Sequence, residues 1–185
     1  MPAAKRISKE AIIDAAAAVL RIGGFEAINA RSVAEALGCS TQPIYLSFRN
    51  MEELKSALTQ RAIEQHTQRV RESLRAHEGC DSRYSSYGMG FVQFAAQEKQ
   101  LFRWLYLEDN QPGRHQEDVL EPEIIRTVMD EFGYDEVTAR AFHRDMTYYS
   151  YGLAILANTG HLALTETELR EAFRREFRAL AAYYG

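Results

Sequence analysis

Ser40, Thr41 and Gln42 follow Gly38 and Cys39, just ahead of Pro43, and their chemistry is that of contact rather than bond-making. Gln42 can offer adenine a donor and an acceptor at once, and the Thr41 methyl can touch a thymine methyl. The Ser40 hydroxyl suits a phosphate oxygen or a helix cap. The groupings that could instead support catalysis are sparse. His115 stands near Asp118 and Glu121, and His143 near Asp145. Neither has a metal-ligand spacing such as His-Glu-x-x-His, and both read as charged, solvated faces. A glycine-rich phosphate loop and a nucleophile elbow are both missing from the sequence. Cys39 reads as a small apolar filler. The sequence therefore predicts no catalytic residue, no metal site and no cofactor.

Two short helices must position those side chains. Asn29 is a good N-cap, and Val33, Ala34 and Leu37 fall on one face behind it. Gly38 follows where a helix end needs a left-handed residue. Ser40 is expected to cap a second helix, with Pro43 in its first turn and Ile44 pointing inward. Helix, glycine turn, short helix is the helix-turn-helix plan, whose second helix enters the major groove.

Ala15–Ala16, Gly23–Gly24–Phe25, Val33–Ala34, Leu37–Gly38, Ile44–Tyr45, Phe48 and Glu53–Leu54 follow one another in an ordered set between Ile12 and Leu58. In that order and spacing they resemble the TetR family of transcriptional repressors. The resemblance implies that the Tyr45 hydroxyl binds backbone phosphate, and that Arg31 reaches a guanine or a phosphate. Family members often have His where Ser47 stands, and Lys where Met51 stands. That Lys meets a phosphate at the start of the fourth helix, so Arg49 or Lys55 is expected to supply the charge that Met51 lacks.

The chain has 185 residues, 46% hydrophobic and 26% charged, an ordinary globular mix. No apolar run is long enough to span a bilayer, and two cysteines make no disulfide scaffold. A cytoplasmic protein without membrane contact is the expectation. The net charge of −4 argues against a protein that coats nucleic acid. Residues 1–60 carry seven Lys/Arg against six acids, a balance of +1, and the remainder 15 against 20, or −5.

Helical periodicity runs throughout, so the fold is predicted to be all-α. An N-terminal three-helix DNA-binding domain over 5–65 should join a helical effector-binding and dimerisation domain over 66–185. Ser8 should cap a first helix to about Ile22, and Phe25 should pack under the helix pair. Asn50 and Glu53 should form a capping box for a long fourth helix, buried through Leu54, Leu58, Ala62 and Val70 and ending at Gly79-Cys80-Asp81. A bend is expected at Gln97–Gln100 and a loop at Asn110-Gln-Pro-Gly, with Pro122 opening the next helix. Asp135 and Thr165 should cap the last two helices.

The family resemblance makes the second domain a sensor of a small, largely apolar effector. Tyr87, Phe91, Phe94, Trp104, Tyr148 and Tyr149 are the candidate pocket. TetR-like proteins dimerise through their last two long helices, which points to Leu153, Leu156 and Ala157 on one and Phe173, Phe177 and Leu180 on the other. The stretch Tyr151-Gly-Leu-Ala-Ile-Leu-Ala-Asn-Thr-Gly resembles a segment of one C-terminal subgroup of the family, the WHG type. The expected partners are a double-stranded DNA operator, a small-molecule effector and a second copy of the chain. A helical enzyme, or an interaction protein that keeps the fold without binding DNA, are the rival readings.

Overall fold

The computed structural model describes residues 7–75, 82–108 and 112–185, the side chains at 73, 74 and 112–118 excepted. The described residues are helical, without a strand. The order is α1 (Lys9–Gly23), a 3-10 turn (Phe25–Ala27), α2 (Ala30–Leu37), α3 (Gln42–Ser47) and α4 (Met51–Arg75). Then come α5 (Arg83–Gln97), α6 (Lys99–Phe102), a π-helical turn (Arg103–Leu107), α7 (Pro112–Phe132), α8 (Glu136–Thr159) and α9 (Glu166–Tyr184).

Side-chain caps set most of these boundaries, and each such cap stabilises by about 1 kcal/mol. The Ser8 hydroxyl accepts from the Ala11 N–H at 3.1 Å. Asn29 accepts from the N–H groups of Arg31 and Ser32, both at 3.0 Å, and Ser32 returns the bond to complete a box. Asp135 and Thr165 cap α8 and α9 as expected. Gly38 ends α2 at φ 65°, and the Gly38 and Cys39 N–H groups close back on Glu35 and Ala34.

Three expectations fail locally. Ser40 caps nothing: α3 begins after Thr41, whose backbone is already helical, and no side chain caps it. The box at α4 is shifted, because Asn50 accepts from the Glu53 N–H while the Glu53 carboxylate accepts from the Arg49 N–H. Pro122 does not open a helix but lies inside α7, which already contains Pro112 and Gly113. There it withholds one N–H from the ladder. The expected break at Gly79-Cys80-Asp81 and the start of the 110–113 loop lie outside the described residues.

Ile12, Ala16, Leu20, Val33, Ile44, Phe48 and Leu54 close the N-terminal core at 2% exposure or less. Ile28 is buried at 2%, and Phe25, half-buried against the core, stacks on Trp104 at 4.7 Å. An Arg21–Glu98 ion pair at 3.0 Å spans the same junction. The α4 helix packs against both halves, meeting α1 on one side and α5 and α7 on the other.

In the second half α5 is central, packed by α4, α7, α8 and α9. Phe173 of α9 lies hard against Gly88 of α5, where an added Cβ would sit 2.6 Å from its Cε1. Glu98 breaks α5 at φ −107°, ψ 55°, giving the expected bend. Buried Asn158 of α8 clamps that bend, its amide donating to the carbonyls of Ala95 at 2.9 Å and Lys99 at 3.0 Å. Two substitutions test this packing by urea unfolding. Gly88→Ala should cost about 1–3 kcal/mol through overpacking, and Asn158→Leu about 1–3 kcal/mol by orphaning two carbonyls.

Candidate nucleic-acid interface and ligand cavity

The α3 helix is amphipathic over a turn and a half. Ile44 and the following Phe48 are buried at 1%, while Ser40, Thr41 and Gln42 are exposed. Tyr45 is 54% exposed, so its phenol faces solvent rather than the core. Leu46, absent from the sequence-based set, is 78% exposed on the same short helix. An isobutyl group there can pack on a thymine methyl. Its signal was its place beside Tyr45, one step off the buried Ile44–Phe48 face. Arg31 is exposed at the start of α2, and its guanidinium makes no ion pair among the described residues. Ser47 is half-buried at the end of α3.

The two cations expected to replace a lysine at position 51 separate. Arg49 is exposed and leans on Glu53, its Nε 3.1 Å from the carboxylate. Lys55 turns away from this face. Its side chain is only 19% exposed, and its ammonium sits 4.6 Å above the Phe25 ring, a cation–π contact at the junction of the two halves. It therefore drops out of the DNA-facing set. Met51 is half-buried against the core. Glu53 occupies the first turn of α4, with Lys9 at 3.7 Å, and its carboxyl is held below its ordinary range chiefly by the Arg49 backbone N–H.

The aromatic set proposed as a pocket does not converge. Tyr87 and Phe91 do border a cavity between α5, α8 and α9, together with Tyr84, His143, Met146 and Phe173. Phe94 is buried against His66 at 4.6 Å, and Trp104 is committed to Phe25. Tyr148 is 68% exposed on the outer face of α8. Tyr149 donates to the Ala172 carbonyl at 3.3 Å and meets Phe173 edge-on. The cavity itself is about 20 Å³, room for one water molecule.

Two histidines carry the polar chemistry of this half. His143 is not on a solvated face with Asp145. Its Nδ1 lies 2.7 Å from the Tyr84 hydroxyl, whereas Asp145 accepts from Tyr184 and Arg144. His66 of α4 is buried between Phe94 and Tyr106, and its Nδ1 has no hydrogen-bond partner among the described residues. Burial pushes each imidazole down to about 4. No metal-holding cluster occurs among the described residues. The side chains of His115 and Asp118 lie outside them.

Of the six residues assigned to a dimer face, Phe173 is spent inside the chain at 1% exposure, and Phe177 packs on Phe132 at 4.8 Å and Phe142 at 5.2 Å. Leu153, Ala157 and Leu180 are half-buried against the core. Leu156 is 43% exposed, with Ile155 beside it at 40%.

A capped helix-turn-helix with an outward reading face, mounted on a helical second half, defines a DNA-binding transcriptional regulator. Residues 12–58 match the family model described as bacterial regulatory proteins, tetR family. Solved structures share its fold over nearly the whole length. A protein from Pseudomonas aeruginosa PAO1 whose assigned role is transcriptional regulator superposes with TM-score 0.66 at 16% identity, over 94% of this chain and 90% of its own. The fatty acid degradation regulator FadR from Bacillus halodurans gives 0.60 at 16%, over 94% of each. The TetR family repressor AlkX from Dietzia sp. strain DQ12-45-1b, implicated in biodegradation of n-alkanes, gives 0.50 at 18%, over 98% and 97%. No curated protein matches the sequence. The family comprises transcriptional regulators, not enzymes, and among the described residues no helix is long and apolar enough to cross a membrane.

The histidines set a pH response of stability. Each imidazole has a folded pKa near 4, below the ordinary 6.5, so the unfolded chain binds a proton that the native chain refuses between those values. Stability should be full above pH 6.5 and fall as the pH drops towards 4. Each histidine contributes up to roughly 3 kcal/mol to that loss. His66→Phe should flatten the fall, measured by urea unfolding at stepped pH.

Proposed function

We propose that this regulator is a homodimeric repressor that grips a palindromic operator through α2 and α3 of each protomer and releases it when a small, largely apolar effector enters the second half. One observation carries the DNA side. Thr41, Gln42, Tyr45 and Leu46 are all exposed on a helix whose opposite face, Ile44 and Phe48, is buried. Base-edge groups at the start of the helix and a phenol one turn on are the parts a recognition helix needs.

Pairing is supported by what α8 leaves outside. Tyr148, Gly152, Ile155 and Leu156 recur at helical spacing and are exposed, and Tyr183 of α9 is 79% exposed. These residues, rather than Phe173 and Phe177, are the proposed interface. Two reading heads on one duplex must stand about 34–36 Å apart. An effector releases the complex only by binding the released arrangement more tightly than the DNA-bound one. FadR and AlkX share only the fold at this identity, so the effector is argued from this chain's own cavity. That cavity is lined mainly by aromatic and aliphatic groups.

Selection of bound duplexes from a random pool tests the reading, with a symmetric motif as the expected outcome and an unenriched pool as the refutation. Tyr45→Ala should weaken binding on every sequence, and Gln42→Ala should change the preferred base. Arg49→Ala should lower the slope of affinity against salt by about one, while Lys55→Met should leave it unchanged. Equal slopes for the two variants would contradict the assignment. Ile155→Glu should shift the sedimentation profile from dimer to monomer; a monomeric wild type at micromolar concentration would refute the pairing.

A further inference from the structure

The cavity between α5, α8 and α9 is chemically selective in a way its size conceals. No charged side chain lines it among the described residues. The nearby Arg140 is engaged by Glu121 and Glu136, both at 2.9 Å, and Arg144 by Asp145 at 3.1 Å. A carboxylate or phosphate brought here would lose its water without gaining a cation, which is costly. Three of the polar groups present, His143, Thr147 and Ser150, are instead arranged in a donor–acceptor sequence along α8.

His143 supplies the donor. The Tyr84 hydroxyl is buried and lies 2.7 Å from Nδ1. A phenol is the stronger donor and an imidazole nitrogen the stronger acceptor, so the phenol proton points at Nδ1 and the ring proton resides on Nε2. The hydrogen bond to Tyr84 engages Nδ1 and leaves Nε2 to meet a guest. Thr147 and Ser150 supply acceptors. Each hydroxyl donates to the carbonyl of the residue four back, His143 and Met146, both at 2.8 Å, which leaves their lone pairs for a guest. His143, Thr147 and Ser150 stand one turn apart on the same side of α8. The rest of the wall is Tyr87, Gly88, Phe91, Met146, Tyr151 and Phe173.

A guest that satisfies both kinds of group carries a hydroxyl, which accepts from Nε2–H and donates to a threonine or serine oxygen. The space beside them is filled by the Phe173 ring, held against Gly88. We propose that this cavity recognises an uncharged, ring-sized molecule bearing a hydroxyl group, a phenol or aromatic alcohol, whose ring takes the place of the Phe173 side chain while His143 and Thr147 hold its oxygen. The proposal rests on reading this cavity as the effector site. It adds that ligand entry moves α9, the helix that bears Phe173, before it moves α4, because no α4 residue borders the cavity.

Calorimetric titration of the full-length wild type with p-cresol, toluene and benzoate tests it. The expected order is p-cresol at least tenfold tighter than toluene, with benzoate unbound. His143→Leu should reduce p-cresol to the toluene level and leave toluene unchanged. His143→Gln keeps an acceptor for Tyr84 and a donor for the guest, and should restore most of the difference. Phe173→Leu frees part of the space and should tighten p-cresol further. Toluene binding as well as p-cresol, benzoate binding best, or no probe binding either wild type or Phe173→Leu would overturn the proposal. The effector reading is measured separately, by release of the selected operator. Binding of p-cresol in the expected order without release would uphold the recognition chemistry and refute the effector role.

Discussion

The structure depends on α4 being buried by two partners at once. Leu54, Leu58, Ala62, His66 and Val70 recur four residues apart and are all 8% exposed or less. The first of these close the core of the DNA-binding half, and the last lie under α5 and α7. A stripe this long, buried continuously, ties the orientation of the reading helices to the packing of the second half. Around it, the Phe25–Trp104 stack, the Lys55 ammonium on Phe25 and the Arg21–Glu98 pair brace the same junction from the side. Hydrophobic burial does most of this work, since surface ion pairs contribute little.

Local features were legible because one side chain decides them. A single oxygen at Ser8, Asn29, Asp135 or Thr165 reaches an N–H two or three residues on, and glycine at 38, 133 or 160 takes the left-handed turn. Ser40 misled because two adjacent residues could cap, and the Gly38–Cys39 turn had already settled where α3 starts. The buried face of α4 was legible too, yet His66 fills the missing step in its own periodicity. A histidine at an apolar register position reads as an interruption until its neighbours, Phe94 and Tyr106, are known.

Long-range partners are what the sequence does not encode locally. Lys55 reads as a phosphate ligand from its charge and position, and only the approach of Phe25 turns it inward. Tyr148 lies two residues from Met146 and Ser150, both on the buried stripe of α8, so helical geometry alone puts it outside. Phe173 and Tyr183 belong to one helix and opposite fates, one against Gly88 and one in solvent. The aromatic residues of the second half form several separate clusters, and abundance alone could not say which cluster holds an opening.

The 25 residues of α4 include neither glycine nor proline, so nothing in the helix invites a hinge. It behaves as a stiff lever about 37 Å long. Pivoting it by about 5° at its inner end sweeps the far end through roughly 3 Å, and in the proposed symmetric pair the two sweeps would add. That displacement is close to one base-pair step of the duplex, about 3.4 Å. In the proposed dimer, a small angular change at the inner end would become loss of register on DNA, without either half having to unfold.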